Sequence, residues 1–349
     1  MAPTYTSPSA TAPPLAVTDS LRAEYRALRE DCGLVDRSER GKLAVSGPDA
    51  KSFLAGQVTN DIEALEAGGG CYAAFLTHKG KMLGDMRVLD SGEELLLDTE
   101  RVALQALFDM IRRFKIGYDV ELHKRTVERA LLSLVGPASR EVATRAAGHE
   151  APAPIDIAPP DREHAHTPAT IAGRDVRLIA TDEAGIDVLC NASDREAMNE
   201  ALIAAGARPV SEAAAEIVRV ERGRPRYGVD LDDTVIPQEA GLNERAVSFT
   251  KGCYVGQETV ARLHYRGKPN RHLRGLRLSE PAALGEELHL GERRVGQLGS
   301  SVLSPALGPI ALALVRREAE PGASVVVGTQ GTAEVVELPF TLRAISAPM

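Results

Sequence analysis

The chain has no tryptophan, and aromatic residues make up only 4% of its 349 positions. Ring stacking on any ligand is therefore left to seven tyrosines and six phenylalanines. Cysteine is nearly as scarce. Cys32, Cys71, Cys190 and Cys253 lie far apart and form no C-x-x-C pair. That spacing excludes a disulfide framework, and a zinc or iron–sulfur site built by this chain alone, and it fits reduced thiols in a cytoplasm. No apolar run approaches the roughly 18 residues of a membrane span; the longest are pieces such as "IALALV". Positive charge is not in excess either, since 41 Lys and Arg face 49 Asp and Glu, for a net charge of -8. A general nucleic-acid coat, which works by neutralising phosphates, is thereby disfavoured, and only a local basic patch is left open. The opening "MAPTYTSPSATAPPLAV" lacks a basic start and an unbroken apolar core, so it reads as a disordered leader over residues 1–17 and not as a secretory signal.

A length of 349 residues exceeds what one core supports, roughly 250 residues, and implies two or three domains. In "TDSLRAEYRALREDCG", Leu21, Tyr25, Leu28 and Cys32 recur at helical spacing, with Asp19 or Ser20 as N-cap and Cys32 facing the core. "KLAVSGPDAKSFLAG" reads as strand, Gly-Pro turn, helix. Residues 71–98 read as a three-stranded meander with turns at His78-Lys79-Gly80 and Asp90-Ser91-Gly92, followed by the helix "VALQALFDMIRR". "LLSLVGPASREVA" repeats the strand, Gly-Pro, helix pattern, which suggests a second copy of one module. The expected units are a first α+β domain over 18–150, a Pro-rich linker over 151–170, a second α+β domain over 171–270 and a C-terminal domain over 271–349. The last holds six short strands with glycine turns and reads as a small antiparallel barrel. The turn-rich segment 224–250 is long for a plain connection, as site-lining loops are.

Three segments carry a resemblance. "GLVDRSERGKLAVSGPDAKSFLAGQVTND", "RVERGRPRYGVDLDDTVIPQEAGL" and "KGCYVGQETVARLHYRG" resemble, in this order, the folate-binding aminomethyltransferase superfamily, and the third resembles the signature of its YgfZ branch. The resemblance implies an α+β fold, two related folate-binding domains around a central hole plus a C-terminal antiparallel β-barrel, with tetrahydrofolate or a one-carbon derivative as cofactor. It further implies support of iron–sulfur enzymes and their assembly proteins, tRNA-thiolating enzymes included. Whether the chain turns over a substrate stays open, with a folate-dependent aminomethyl or methyl transferase and a non-catalytic interaction protein as the alternatives.

The resemblance also assigns residues. Glycine-cleavage aminomethyltransferases carry two adjacent aspartates after a Gly-rich turn; here "KGKMLGDMRV" has Gly84 at the first position and Asp85 at the second. Asp85 is then the acid beside the folate nitrogens, work suited to a carboxyl whose pKa burial has raised. Glu183 in "TDEAGID" would accept hydrogen bonds from the pterin edge, and Arg219 in "VRVERG" would fork onto the folate carboxylates. Tyr72, Phe75, Tyr227 and Tyr254 are the rings available for stacking. Cys253 lies between Lys251 and the expected helix "GQETVARLHY", where a cation and a helix N-terminus favour a thiolate. It is the expected nucleophile or transient ligand for iron or sulfur. Lys251 would set its charge or pair with a folate carboxylate, and Glu258 is a first-turn acid. The segment with Arg262, Arg266, Lys268, Arg271 and Arg274 fits the polyglutamate tail of folate, an acidic partner or tRNA. His164 and His166 form an H-x-H without a third ligand, so no metal site is expected.

Overall fold

The computed structural model describes residues 16–148, 160, 162–182 and 185–341. Its helices are α1 (Asp19–Glu30), α2 (Ala50–Ala55), α3 (Leu104–Phe114), α4 (Ser139–Ala146), α5 (Arg195–Ala204), α6 (Glu212–Glu221), α7 (Asn243–Ala246) and α8 (Gln257–Arg266). Strands are numbered β1 to β17 in chain order. A five-stranded sheet contains β2 (Gly41–Ser46), β3 (Gly70–Leu76), β4 (Met82–Asp90), β5 (Glu94–Thr99) and β6 (Glu121–Lys124), in the order β3-β4-β5-β2-β6. A six-stranded sheet contains β1 (Gly33–Asp36), β7 (Arg129–Val135), β8 (His166–Ile171), β9 (Arg174–Ala180), β10 (Ile186–Asn191) and β11 (Arg208–Pro209), in the order β11-β1-β7-β10-β9-β8.

The two orders are the same plan. In each, a three-stranded meander is followed by the strand that enters a Gly-Pro turn and helix, β2 to α2 in one and β7 to α4 in the other. The repeated module seen in the sequence is therefore a repeat of structure. The sheets do not respect a boundary at residue 150, however. β7 belongs to the second sheet, on whose core α4 packs, and so does β1, which inserts between β7 (antiparallel) and β11 (parallel). Nor is the segment before residue 170 wholly a linker, because β8 begins at His166 and the imidazoles of His164 and His166 are buried.

α1 is capped by Thr18, whose hydroxyl accepts from the Leu21 amide at 3.1 Å, one residue earlier than the expected cap. Its apolar stripe, Leu21, Tyr25 and Leu28, packs on Ile217 and Val218 of α6 and on Ile310 and Leu312 of the barrel. Cys32 is fully buried in the core of the six-stranded sheet, where loss of water pushes its thiol up to about 11. The barrel is closed and antiparallel, built from β12 (Arg271–Leu278), β13 (Glu287–Leu290), β14 (Arg293–Ser304), β15 (Gly308–Arg316), β16 (Ser324–Val327) and β17 (Gly331–Val336), with β12 pairing both β15 and β17. The six expected strands are thus present, and closure removes their free edges. Among the described residues no helix is long and apolar enough to cross a membrane.

Candidate functional site

A cavity of about 330 Å³ lies where the two sheets, α6 and the segment 222–229 converge. Its reactive wall comes from the β3–β4 hairpin. Tyr72 stands opposite Arg87 and Ala74 opposite Asp85, and strand alternation puts all four on one face. Tyr72, Asp85 and Arg87 line the cavity. Asp85 is 5% exposed, and burial pushes its carboxyl up to about 6 even though the Tyr72 hydroxyl donates to it. Glu100 adds to the rise and Arg40 opposes it. Tyr72 itself is held well above its ordinary pKa by burial and by the Asp85 charge. The pair is a buried proton store close to neutrality, the setting in which a carboxyl works as acid or base.

Around this pair the charges are matched. Arg40 donates through Nε to Asp98 at 2.8 Å and also binds Glu100. Arg87 bridges Asp98 on β5, at 2.6 Å, and Asp187 on β10, at 2.6 Å, so it ties the two sheets together beneath the cavity. Its two arginines hold Asp98 well below the usual carboxylate range, against the opposing effect of burial. His164 stacks on Tyr72 with ring centroids 6.4 Å apart, and the Arg245 guanidinium lies 5.4 Å from the same tyrosine ring. Burial, with Arg87 and Arg245 nearby, pushes His164 down to about 3, so this imidazole is neutral at physiological pH. Its backbone is left-handed at φ 67°, and its Nδ1 has no hydrogen-bond partner among the described residues. A non-glycine residue held there is strained, a feature that clusters at binding sites. His164, Arg87 and Arg245 were not picked out as cavity residues from the sequence. The hairpin register would have placed Arg87 beside Asp85, but no local pattern marks His164.

Arg219 lines the cavity, yet its donors are directed into the protein. Nε donates to Glu216 at 2.8 Å and Nη1 to Asp230 at 2.9 Å; Nη2 also reaches Glu216, at 2.5 Å. The remaining two hydrogens go to the Arg224 carbonyl and to the Ser300 hydroxyl on β14. All five donors of the guanidinium are used, so Arg219 does not offer a fork to a ligand carboxylate as expected. It instead latches α6 to the barrel, because a buried cation needs such partners. Tyr227 does line the cavity, with its hydroxyl 3.4 Å from the Met82 carbonyl. Glu183 lies outside the described residues.

The thiol loop is elsewhere. Cys253, Lys251 and Tyr254 do not line the cavity. Cys253 is exposed in the loop leading to α8. Lys251 turns inward, donating to the Ala55 carbonyl and, at 2.9 Å, to the Val58 carbonyl, with its ammonium 5.0 Å from the Tyr254 ring centroid. Burial lowers it to about 8. It finishes the end of α2 and does not meet a cavity ligand. Tyr254 is buried against Leu76, Met82 and Val260, so it is a core ring and not a stacking surface for a ligand. The loop is fixed by two glycines. Gly256 caps α8 at φ 84°, and a Cβ on it would meet the Thr77 carbonyl at 2.5 Å; a Cβ on Gly80 would meet Thr259 at 2.8 Å. The β3–β4 turn and the start of α8 thus interlock. Asp85 stands three residues into β4 beyond that turn, about 10 Å at the usual strand rise.

These features define a class, a protein of two repeated sheets and an appended barrel with buried carboxyls of raised pKa in a cavity at the junction. The chain belongs to the glycine cleavage T-protein family: the GCVT N-terminal domain matches residues 2–251, and the glycine cleavage T-protein C-terminal barrel domain matches 271–341. An aminomethyltransferase of Rubrobacter xylanophilus is 31% identical, covering 94% of this chain and 88% of its own. One from Corynebacterium aurimucosum is 29% identical, with 93% and 91% covered. A putative chloroplastic transferase of Arabidopsis thaliana is 29% identical over 89% of this chain and 71% of its own. The glycine cleavage system aminomethyltransferase T from Bartonella henselae shares the fold, with a TM-score of 0.80 at 24% identity, over 93% of this chain and 90% of that one.

Proposed function

We propose that the chain is a cytoplasmic reduced-folate-binding protein of the YgfZ type that supports the assembly or repair of iron–sulfur proteins, including tRNA-thiolating enzymes. The observation that carries this reading is the Asp85–Tyr72 pair, buried and poised near neutrality in the cavity between the repeated domains. The cavity is at the lower end of the size of small-molecule sites, and its donor set suits a nitrogen-rich planar ring. Asp85 would face the ring nitrogens, and Tyr72, Tyr227 and the neutral His164 would frame the ring. Tetrahydrofolate, when bound, supplies a carrier for one-carbon units. Asp85 holds or releases a proton, Tyr72 holds Asp85 in place, and the paired arginines keep the surrounding charge neutral. Cys253 would act apart from the folate, on iron–sulfur enzymes or cluster-assembly proteins that reach the surface.

A second reading, a folate-dependent aminomethyltransferase, is favoured by the names of the relatives. Gly84 counts against it. A Cβ there would come within 2.6 Å of the Phe75 ring and 2.7 Å of Ala103, so a second aspartate beside Asp85 has no room. Two measurements test the proposal. Tetrahydrofolate should raise the melting temperature of the wild type and not that of Asp85→Asn. Cells lacking the protein should lose [4Fe–4S] enzyme activity that the wild type restores and Cys253→Ser does not. Release of ammonia from an aminomethylated lipoyl carrier would establish the transferase instead, and no response to any reduced folate would reduce the cavity to a vestige.

A further inference from the structure

The arginines around the cavity are committed to the protein, with one exception. Arg40, Arg87 and Arg219 are held as described above, Arg37 and Arg226 both pair with Glu212, Arg224 pairs with Asp182 and Arg245 with Glu163. Arg222 is engaged as well. Arg101 also lines the cavity, yet it is exposed, and its guanidinium has no carboxylate or hydrogen-bond partner among the described residues. Exposed arginines elsewhere, such as Arg22 and Arg262, do not line it.

Arg101 opens a short 3₁₀ turn, Arg101–Ala103, one residue after the end of β5. The turn is wedged on two sides. A Cβ on Gly84 would come within 2.7 Å of Ala103, and a Cβ on Gly228 within 2.6 Å of Val102, so the turn packs closely on β4 and on the segment 222–229. Gly84 directly precedes Asp85, and the turn that presents Arg101 is thereby keyed to the strand that presents the acid. Val102 is 64% exposed and lines the cavity beside Arg101. The wall thus runs from the buried Asp85 to an apolar side chain and a free cation at the mouth. Glu39 lies two residues before the β2–β5 ladder as Arg101 lies two residues after it, but no ion pair joins them among the described residues. Partial burial, with Glu212 and Asp36 nearby, pushes the Glu39 carboxyl up, and the cation that opposes this rise is Arg40.

We propose that Arg101 receives the glutamyl carboxylate of the folate, and that the site thereby selects ligands with a carboxylate beyond the ring system. The proposal rests on the folate reading of the cavity. A guanidinium presents a planar fork of donors that can hold a carboxylate through two parallel bonds. Arg219 would have to break its buried bonds first, whereas every donor of Arg101 is available. The exposed Val102 suits the apolar ring that separates the pterin from the glutamyl group, as apolar walls with few polar anchors do in small-molecule sites.

The test measures binding to the full chain by anaerobic titration calorimetry, with tetrahydrofolate and with its diamide, in which both glutamyl carboxylates are primary amides. The wild type should bind tetrahydrofolate about tenfold more tightly than the diamide, the scale of one charge-assisted contact, and the gap should narrow at about 0.5 M salt. Arg101→Gln should bind both ligands alike, at the level of the diamide, with an unchanged melting temperature in the absence of ligand, and Arg101→Lys should keep part of the preference. Equal affinities in the wild type, or a full preference retained by Arg101→Gln, would overturn the proposal and leave the folate reading standing. Binding of neither ligand to the wild type would overturn both.

Discussion

The cavity and the thiol loop treat charge in opposite ways. In the cavity nearly every arginine is matched, and Arg219 alone spends five donors inside the protein. Along α8 the cations stand open to water and the thiol is exposed. Burial explains the difference, since an unpaired charge inside the protein costs several kcal/mol whereas at the surface it costs little. The cavity is therefore built largely from matched charges, with the carboxyls of Asp85 and Glu39 raised by burial among them. The loop is accessible and able to meet a macromolecule.

The strongest way to break the contrast is at Arg219. Arg219→Ala should lower stability by roughly 3–5 kcal/mol in urea titrations, because Glu216 and Asp230 would be left buried without their cation. A loss under 1 kcal/mol would mean that the latch is not needed. Next is the pH dependence of Asp85. Its folded pKa, about 6, lies above the 3.8 of the free side chain, so the folded state binds the proton more tightly. Its contribution to stability should therefore fall as pH rises from about 4 to about 6, by up to about 3 kcal/mol at 1.36 kcal/mol per unit. Thermal melts of wild type and Asp85→Asn over that window should converge or cross. His164 has the opposite sign. Lowered from 6.5 to about 3, it stabilises the fold above pH 6.5, and that contribution is lost as pH falls toward 3. Smaller still is the ligand effect. Tetrahydrofolate at about a hundred times its Kd should add about 2.7 kcal/mol to the wild type, and Asp85→Asn should forfeit it. The smallest effect is at the surface, where Cys253→Ser should shift stability by no more than about 0.5 kcal/mol. Iodoacetamide should modify Cys253 before the other thiols, since burial holds Cys32 and Cys190 up at about 11 and Cys71 at about 12.

Much of this architecture is written locally. Helix α1, the β3–β4–β5 meander and the six barrel strands follow from spacing and glycine turns, and the Gly-Pro repeat announces the duplicated sheet. The assignment of β1 does not, because its partners are nearly a hundred and more than 170 residues downstream and β11 is two residues long. Asp85 is visible as a residue, but its burial depends on the second sheet. For Arg219, Glu216 is one helical turn away and legible, while Ser300 is 81 residues distant and is not. The separation of Cys253 from the cavity is invisible for the same reason, as it depends on which way the β3–β4 hairpin points and not on any motif.

The crossing of β1 into the second sheet has a consequence for synthesis. Residues 41–124 contain every strand of the five-stranded sheet, so that unit is complete in sequence while β1 still waits on its N-terminal side. About ninety residues separate β1 from β7, and translation at roughly 5–20 residues per second takes about 5–20 s to cover them. For that interval Leu34 and Val35, both buried in the finished protein, emerge ahead of the chain that will cover them. The nascent protein thus carries an unpaired apolar strand next to a sheet that can already fold. An unpaired edge of that kind is a template for aggregation, and its protection falls to whatever shelters the chain at the ribosome until the second half arrives.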